Sequence, residues 1–194
     1  MIDAGGANLG SVRYALERLG ARPRVVRDAD ELHGAGHVVL PGVGAAPPAM
    51  AALRARGLDA ALRATRGPLL GICLGMQLLY ERSEEGDVAC LGLLPGRVAR
   101  MPAAPGLRMP HMGWNALEVE RDDPLLDGIA SGDHAYFVHG YAAPVGAHTL
   151  ASSDHGERFA AVVRHGRYLG TQFHPERSSA TGARLLSNFL RWAA

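Results

Sequence analysis

The chain has 194 residues, of which 47% are hydrophobic and 20% are charged, and its formal net charge is +1. This length allows one well-buried domain, and the composition is that of a globular protein rather than a disordered one. A net charge so close to zero argues against surfaces that bind nucleic acid or anionic membranes. The sequence shows neither a signal peptide nor the roughly 20 consecutive apolar residues of a membrane span. We therefore expect one cytoplasmic domain over residues 1–194, with neither nucleic acid nor membrane as a partner.

The first half of the sequence alternates between strand and helix patterns. Apolar residues recur at helical spacing between positions 12 and 19, and Asn8 or Ser11 is placed to cap that helix. The predicted elements, in chain order, are a helix at 12–19, strands at 24–27 and 37–40, a helix at 46–64, a strand at 68–72 and a helix at 74–82. Alternation of this kind is typical of a mostly parallel sheet with crossover helices.

The second half, beyond about residue 96, is richer in short strands. They are predicted at 97–100, 113–120, 134–138, 148–151, 159–164 and 168–173. His165-Gly166 lies between two apolar strands and predicts a tight hairpin, so antiparallel pairing should join the sheet here. A last helix should begin at Ser178-Ser179. Its predicted core face consists of Leu185, Leu186, Phe189 and Leu190.

The segment Gly71-Ile72-Cys73-Leu74-Gly75 follows a buried strand and opens a helix. A strand-to-helix turn of this type presents a nucleophile, and its flanking glycines allow tight packing. The helix N-terminus favours the thiolate form of Cys73, and the backbone N–H of Leu74 is a natural oxyanion donor. The alternative is a buried structural cysteine. Gln77 favours the catalytic interpretation because it lies one helical turn beyond Cys73, whereas Cys90 has no such surroundings and is expected to be inert.

The segment Thr171-Gln172-Phe173-His174-Pro175-Glu176 ends the last predicted strand. His174 and Glu176 are two residues apart, so in an extended chain both side chains point to one face. A carboxylate in that position fixes the imidazole tautomer while the other ring nitrogen faces a thiol. Taken alone, the pattern favours a strand-end histidine beside a solvated glutamate. Because Cys73 and His174 both follow the carboxyl ends of buried strands, we interpret the three residues as a catalytic set.

Three of the remaining histidines, His111, His134 and His139, lie in the β-rich half. A metal cluster among them is the alternative to a metal-free site. No HExxH motif and no paired cysteine spacing supports such a cluster, so we expect neither a metal nor a cofactor.

The segments 71–79 (GICLGMQLL), 41–44 (PGVG) and 171–178 (TQFHPERS) resemble the class I glutamine amidotransferases. The resemblance covers nearly the whole chain. It implies a single-domain, flavodoxin-like α/β fold with a mostly parallel central sheet, helices on both faces and a β-rich C-terminal half. It also implies that Cys73 attacks the side-chain amide of glutamine and forms a thioester, that His174 moves the protons, and that Glu176 orients His174.

The same resemblance implies further contacts around the nucleophile. The oxyanion hole would consist of the backbone N–H of Leu74 and a second N–H at Val43 or Gly44. The substrate would be bound by Gly42, Gln77, Gly140 and Tyr141.

Three further segments resemble the glutaminase subunits of imidazole glycerol phosphate synthase, which act in histidine biosynthesis. They are 3–9 (DAGGANL), 110–115 (PHMGWN) and 136–139 (YFVH). In that family ammonia passes to a separate (β/α)8 cyclase subunit, so the resemblance implies a heterodimer. Trp114, Tyr136 and Arg177 are expected at the surface that contacts this partner rather than in the core.

The chain departs from the family pattern at three points. It begins with fewer apolar residues than is usual, so the first strand should be a stub, and we expect the natural start to lie upstream. Ala4 stands where Tyr is usual. Gly140 stands where Ser is usual, which leaves only a backbone contact to the substrate at that position.

Two other functions fit parts of the sequence. One is the glutaminase component of another amidotransferase, such as anthranilate synthase or a pyridoxal phosphate synthase, which the PHMGWN segment disfavours. The other is a non-catalytic regulatory or scaffold protein of the same fold. The presence of Cys73, His174 and Glu176 disfavours that interpretation.

Overall fold

The structure is a computed structural model that describes residues 1–4, 8–103 and 106–192. The α-helices in these ranges are α1 (Leu9–Arg18), α2 (Ala46–Ala55), α3 (Leu58–Ala64), α4 (Leu74–Gln77) and α5 (Ser179–Leu190). The strands are β1 (Val38–Gly42), β2 (Leu69–Cys73), β3 (Arg82–Ser83), β4 (Val88–Ala89), β5 (Arg97–Arg100), β6 (His111–Ala116), β7 (Glu118–Val119), β8 (His134–His139), β9 (Tyr141–Ala142), β10 (Thr149–Asp154), β11 (Arg158–His165) and β12 (Tyr168–Thr171). None of the described helices is long and apolar enough to cross a membrane.

The central sheet has six strands in the order β1-β2-β12-β11-β10-β7. Only β1, β2 and β12 pair in parallel, while β12, β11, β10 and β7 pair with one another antiparallel. The α/β fold is confirmed, and the antiparallel pairing predicted for the β-rich half joins the sheet. Because antiparallel pairs make up three of the five strand pairings, the sheet as a whole is less parallel than predicted. The tight turn at Gly166, predicted as a hairpin, returns the chain directly from β11 to β12, and so short a connection allows only antiparallel pairing.

The N-terminal residues form a stub inside the parallel half, as predicted. Ile2 is fully buried, pairs in parallel with Val26, and donates its backbone N–H to Val39 O at 2.8 Å. The predicted strand at 24–27 is therefore a single bridge, because Ile2 alone pairs with it. The second neighbour of the stub is β1, which contains Val39.

Two predicted helices are shorter than expected. The helix at 46–64 breaks into α2 and α3 at Gly57, which adopts a positive φ of 64°. The helix predicted at 74–82 ends at Gln77. Beyond it, the carbonyls of Leu78 and Tyr80 accept from the backbone N–H groups of Leu91 and Gly92, so the chain leaves the helical path.

The sheet is covered by helices on both faces, which confirms that part of the predicted fold. The helices α1 and α5 pack on the face that carries Val39, Leu70 and Ile72. The helices α2 and α3 pack on the opposite face, with Val38 and Leu40. Adjacent strand residues alternate between the two cores, as the period of a strand requires. This arrangement leaves the carboxyl ends of β1 and β2 open, and Gly42 pairs there with Cys73.

Candidate active site

Cys73 occupies the predicted turn between β2 and α4. Its backbone has φ 53° and ψ −111°, a conformation that residues other than glycine rarely adopt. Strained backbone of this kind concentrates at functional sites, where the surrounding packing imposes it. The side chain is 6% exposed at the floor of a cleft.

Three glycines impose this turn by leaving no room for side chains. A Cβ on Gly75 would lie 1.8 Å from Leu40 O, and one on Gly71 would lie 2.6 Å from backbone atoms of Gly75. A Cβ on Gly42 would lie 2.9 Å from Gly75 N. Gly42, predicted to bind substrate, therefore packs beneath the turn and is absent from the cleft lining.

The cleft above Cys73 has a volume of about 280 Å³. It is lined by Val43, Gly44, Cys73, Leu74, Gln77, Glu85, Pro110, Val138, His139, Gly140, Tyr141 and His174. The residues predicted for the oxyanion hole are therefore all in the lining. So are the other three predicted substrate contacts, and their roles stay predictions.

His174 and Glu176 meet, but not by the geometry that the sequence suggested. His174 is extended, whereas Glu176 lies in a 3-10 turn, Pro175–Arg177, that directly follows it. Glu176 Oε1 lies 2.8 Å from His174 Nδ1, and the Glu176 side chain is fully buried. The turn, rather than an extended chain, brings the carboxylate behind the imidazole. Cys73 and His174 both line the cleft, and the sulfur is close enough to the imidazole to affect its charge state.

The charge of His174 follows from these two neighbours. Burial alone would lower the pKa of His174, but the hydrogen bonds and attraction of Cys73 and Glu176 outweigh it and raise the pKa to about 10. The imidazole is therefore protonated at neutral pH beside the sulfur. A cysteine paired with an imidazolium is an activated nucleophile.

Asn8 belongs to this site, although the sequence indicated it only as a helix cap. It does occupy the N-cap position of α1, but its side chain makes no cap hydrogen bond. Instead Asn8 Nδ2 donates to Glu176 Oε1 and lies 3.4 Å from His174 Nδ1. Its position before a helix hid this role. Asn8 belongs to the segment 3–9 that carries part of the family resemblance, and residues 5–7 of that segment lie outside the described residues.

Two buried amides connect the cleft to the sulfur. Gln77 Nε2 donates to Tyr141 O at 2.8 Å and to Gln172 Oε1 at 3.0 Å. Gln172 Nε2 lies 3.8 Å from Cys73 Sγ. Sequence reasoning missed Gln172. The alternation that places Gln172 and His174 on one face of an extended segment is the signal that could have found it.

Two histidines, considered above for a metal, instead support the Tyr141 carbonyl. His139 Nδ1 lies 3.0 Å from Tyr141 O, and His139 Nε2 lies 3.0 Å from His111 Nδ1. Burial lowers the pKa of His139 to about 3 and that of His111 to about 4, so both rings are neutral at pH 7. His134 is at the opposite end of β8. Within the described residues no group of three metal-ligating side chains forms.

Glu85 is the second cleft residue that the sequence did not single out. Its Oε2 accepts the backbone N–H of Ala46 at 2.8 Å, at the start of α2, and its side chain borders the cleft. In the sequence Glu85 belongs to an acidic run that gives no local signal. By contrast Cys90 is buried and absent from the cleft lining, and burial raises its pKa to about 11, which disfavours the reactive thiolate form.

The three residues predicted at a partner surface form one cluster. The Arg177 guanidinium lies 4.7 Å from the Tyr136 ring centroid, and the Tyr136 and Trp114 rings are 5.9 Å apart in an edge-to-face arrangement. Trp114 is 53% exposed and Met112, on the same face of β6, is 58% exposed. This partner-face cluster adjoins the site, since His174 N donates to Tyr136 O at 3.0 Å.

Known proteins are similar to this chain over nearly its whole length. The family model described as Glutamine amidotransferase class-I matches residues 1–192. The chain is similar to "Imidazole glycerol phosphate synthase subunit HisH" of Xanthomonas euvesicatoria pv. vesicatoria (strain 85-10), with 66% identity over 190 residues, 98% of this chain and 95% of that protein. The protein of that name from Xylella fastidiosa (strain Temecula1 / ATCC 700964) is 60% identical over 194 residues, 100% of this chain and 97% of its own. A solved structure described as "Crystal structure of glutamine amidotransferase" has a TM-score of 0.75 and 26% identity, covering 97% of this chain and 95% of its own.

Proposed function

Because this chain belongs to the class-I glutamine amidotransferase family, we propose that it hydrolyses glutamine to glutamate and ammonia with Cys73, His174 and Glu176, within one domain over residues 1–194. The ammonia is delivered to a (β/α)8 cyclase subunit, with which the chain forms a heterodimer. There it reacts with a phosphorylated ribulose-type intermediate to give imidazole glycerol phosphate and an aminoimidazole carboxamide ribotide. The relatives named as subunits of imidazole glycerol phosphate synthase support this assignment in histidine biosynthesis.

The first half-reaction breaks the amide bond of glutamine. In the resting pair the thiol proton of Cys73 already lies on His174, and the thiolate attacks the side-chain amide carbon, whose oxygen becomes an oxyanion. His174 then gives its proton to the amide nitrogen as the C–N bond breaks, so that ammonia leaves and a thioester remains. The buried carboxylate of Glu176 keeps the imidazolium stable and its other nitrogen aimed at the sulfur.

The second half-reaction reverses the roles. His174 takes a proton from water, and the resulting hydroxide attacks the thioester carbon. The C–S bond then breaks, glutamate leaves, and the Cys73 thiolate is again paired with protonated His174. The oxyanion of both half-reactions is stabilised by the Leu74 N–H and an N–H at Val43 or Gly44, which border the cleft beside Cys73. Loss of one such donor costs about 10²–10³ in rate in related chemistry.

The cleft supplies contacts for the amino-acid end of glutamine. The Glu85 carboxylate is placed to bind the α-ammonium group, and Tyr141 and Gly140 present backbone groups at the same wall. Gln77 uses its N–H groups for Tyr141 and Gln172, so its own Oε1 is the atom left to accept from the substrate. We therefore add Glu85 to the predicted binding residues.

The partner-face cluster is the proposed contact with the cyclase. Its exposed Trp114 and Met112 provide apolar area, and Arg177 stacked on Tyr136 provides a positive rim. Because the Tyr136 carbonyl holds the His174 backbone, a partner that moves Tyr136 also moves the base. We expect low glutaminase activity alone and strong stimulation by the liganded cyclase, a coupling between two sites.

The single observation that carries the proposal is the strained Cys73 in contact with a His174 held by a buried Glu176. The test measures glutamate and ammonia release by the chain alone, with the cyclase, and with the cyclase plus its ligand. Release that rises with the liganded cyclase supports the proposal. A chain that binds the cyclase but releases no ammonia is the regulatory protein of the alternative interpretation.

The contact surface has its own test with a matched control. Arg177→Ala should weaken stimulation by the cyclase without lowering the melting temperature. Arg66→Ala is the control, since Arg66 is exposed and precedes β2, at the opposite end of the sheet from the cleft. Equal complex affinity and equal stimulation in both variants would remove Arg177 from the interface.

A further inference from the structure

We propose that Gln172 is a further residue of the catalytic site, whose side-chain N–H donates to the Cys73 sulfur in an orientation fixed by Gln77 and the Tyr141 carbonyl. This inference rests on the proposed glutaminase function and adds to it a donor that the Cys-His-Glu set lacks.

Gln172 is fully buried, and both polar atoms of its side chain have hydrogen-bond partners. The residue is 0% exposed and directly follows β12, with its backbone N–H donated to Ala161 O at 2.9 Å. Its two side-chain atoms face two partners, Gln77 Nε2 at 3.0 Å and Cys73 Sγ at 3.8 Å. A fully buried amide is costly unless its polar atoms are paired, so its partners explain why an apolar side chain does not stand here.

The orientation of the Gln172 amide follows from groups whose roles are fixed. The Tyr141 carbonyl can only accept, so the Gln77 atom that meets it at 2.8 Å is Nε2. The second N–H of that nitrogen points to Gln172, which must present Oε1 to it. The remaining end of the Gln172 amide, its N–H group, therefore faces the sulfur. The hydrogen bonds thus run in one direction, since Gln77 donates to Gln172 and Gln172 donates to Cys73.

The groups around the sulfur divide by the charge state that they favour. The Val138 carbonyl, 3.7 Å from Sγ, accepts from a thiol and repels a thiolate. His174, protonated and held by Glu176, favours the thiolate, and an N–H donor from Gln172 favours it as well. The other titratable side chains in the cleft lining belong to Tyr141, to His139, which is neutral, and to Glu85, whose carboxylate already accepts from Ala46. The Gln172 N–H therefore stabilises a thiolate at Cys73, whereas the Val138 carbonyl destabilises it.

The chain of amides also connects the sulfur to the substrate pocket. Gln77 and Tyr141 both line the cleft, and both lie in the chain that orients Gln172. A substrate that binds them contacts the groups that set the donor at Cys73. Of these three residues Gln172 is the one whose amide donates to the sulfur, so the effect passes through Gln172.

The test follows the reactivity of the sulfur rather than turnover. In a Cys90→Ser background, which leaves one thiol, the alkylation of Cys73 by iodoacetamide is timed by intact mass between pH 6 and pH 9. We expect Gln172→Met, which keeps the volume and removes the donor, to slow alkylation about 3–10-fold at pH 7. The difference should close at alkaline pH, where both proteins form the thiolate. The kcat for glutamine should fall while KM changes little.

Two further variants separate this role from packing. Gln77→Met leaves Gln172 in place but releases its orientation, so it should slow alkylation in the same direction by less. Asn188→Leu removes another buried amide, one that holds Leu125 O and Asp127 O far from the cleft. It should lower the melting temperature and leave alkylation unchanged.

The outcomes are separable from those of the proposed function. If Gln172→Met and Gln77→Met alkylate with the wild-type rate at every pH, Gln172 only fills space and the inference is wrong. If Gln172→Met does not fold, Gln172→Glu, of equal size, carries the same test and should also slow alkylation, because it places an acceptor against the sulfur. A wild type that releases no ammonia with the liganded cyclase overturns the proposed function, whatever the alkylation rates are.

Discussion

The two sides of the Cys73–His174 contact are built by different means. Cys73 is placed by backbone packing, because three glycines interlock where β1, β2 and α4 meet and leave no space for a side chain. His174 is placed by polar contacts: Tyr136 O holds its backbone N–H and Ser178 Oγ holds its carbonyl at 2.7 Å. Asn8 and the Glu176 carboxylate hold its ring. The first side should therefore fail when an atom is added, and the second when a donor is removed.

The largest expected effect comes from removing the nucleophile, which leaves both supports intact. Cys73→Ala should reduce glutamine hydrolysis by about 10⁴-fold or more, because no covalent intermediate forms without the sulfur. Synthesis from added ammonia by the complex should continue, since that chemistry belongs to the cyclase. Glutamate release and ammonia-dependent synthesis are measured side by side. A variant that retains more than a small residue of the glutaminase rate would exclude Cys73 as the nucleophile.

Adding one methyl group should break the packed side. Gly75→Ala puts a Cβ 1.8 Å from Leu40 O, a backbone atom that cannot rotate away. We expect the free energy of unfolding to fall by at least about 3 kcal/mol. Glutaminase activity should be lost as well. Gly10→Ala is the matched control, because Gly10 lies in α1 with open space at its Cβ position. It should be neutral or stabilising by about 0.5–1 kcal/mol. Denaturant unfolding of both variants decides the point, and equal stabilities would refute the steric argument.

The packed side is also the one that the sequence predicted well. The Gly71–Gly75 turn, β2 before it and the position of Cys73 in the turn all depend on neighbours close in sequence, so the local pattern was sufficient. The α/β fold, the hairpin at Gly166 and the buried face of α5 were predictable for the same reason.

The polar side was predicted only in part, because its contacts span the chain. Asn8 meets Glu176 across 168 positions and Gln77 meets Gln172 across 95. No periodicity encodes such pairs. The 3-10 turn that carries Glu176 replaced the expected extended geometry, and the antiparallel half of the sheet was underestimated for a related reason. Short strands reveal their partners only when the whole chain is folded.

Removing one donor should weaken the polar side without unfolding it. Asn8→Ala deletes the N–H that Glu176 Oε1 receives and, among the described residues, leaves that carboxylate with His174 alone. A hydrogen bond to a charged group is worth about 1.5–3 kcal/mol, so kcat should fall about 10–100-fold while KM stays nearly constant. Ser11→Ala, at the other position considered for the cap, is exposed and serves as the control. Equal kcat values for the two variants would show that Asn8 does not support Glu176 in catalysis and only begins α1.

The last expected effect, the most gradual of the four, is a response of stability to pH, which the polar side alone should produce. Since burial depresses the pKa of His139 from 6.5 to about 3, the unfolded chain binds one more proton than the folded chain between these values. Stability should therefore fall as pH drops through this window, by up to about 1.4 kcal/mol per pH unit for this residue. His174 acts in the opposite direction. Its pKa is raised to about 10, so its contribution is present below 6.5 and is lost as pH rises from 6.5 to 10. Melting temperature should then peak near pH 6.5.

His139→Asn keeps a donor for Tyr141 O and removes the titration, so its acid limb should be shallower than that of wild type. The exposed His165→Asn should follow the wild-type curve. Identical acid limbs in His139→Asn and wild type would mean that this buried histidine does not set the acid sensitivity of the fold.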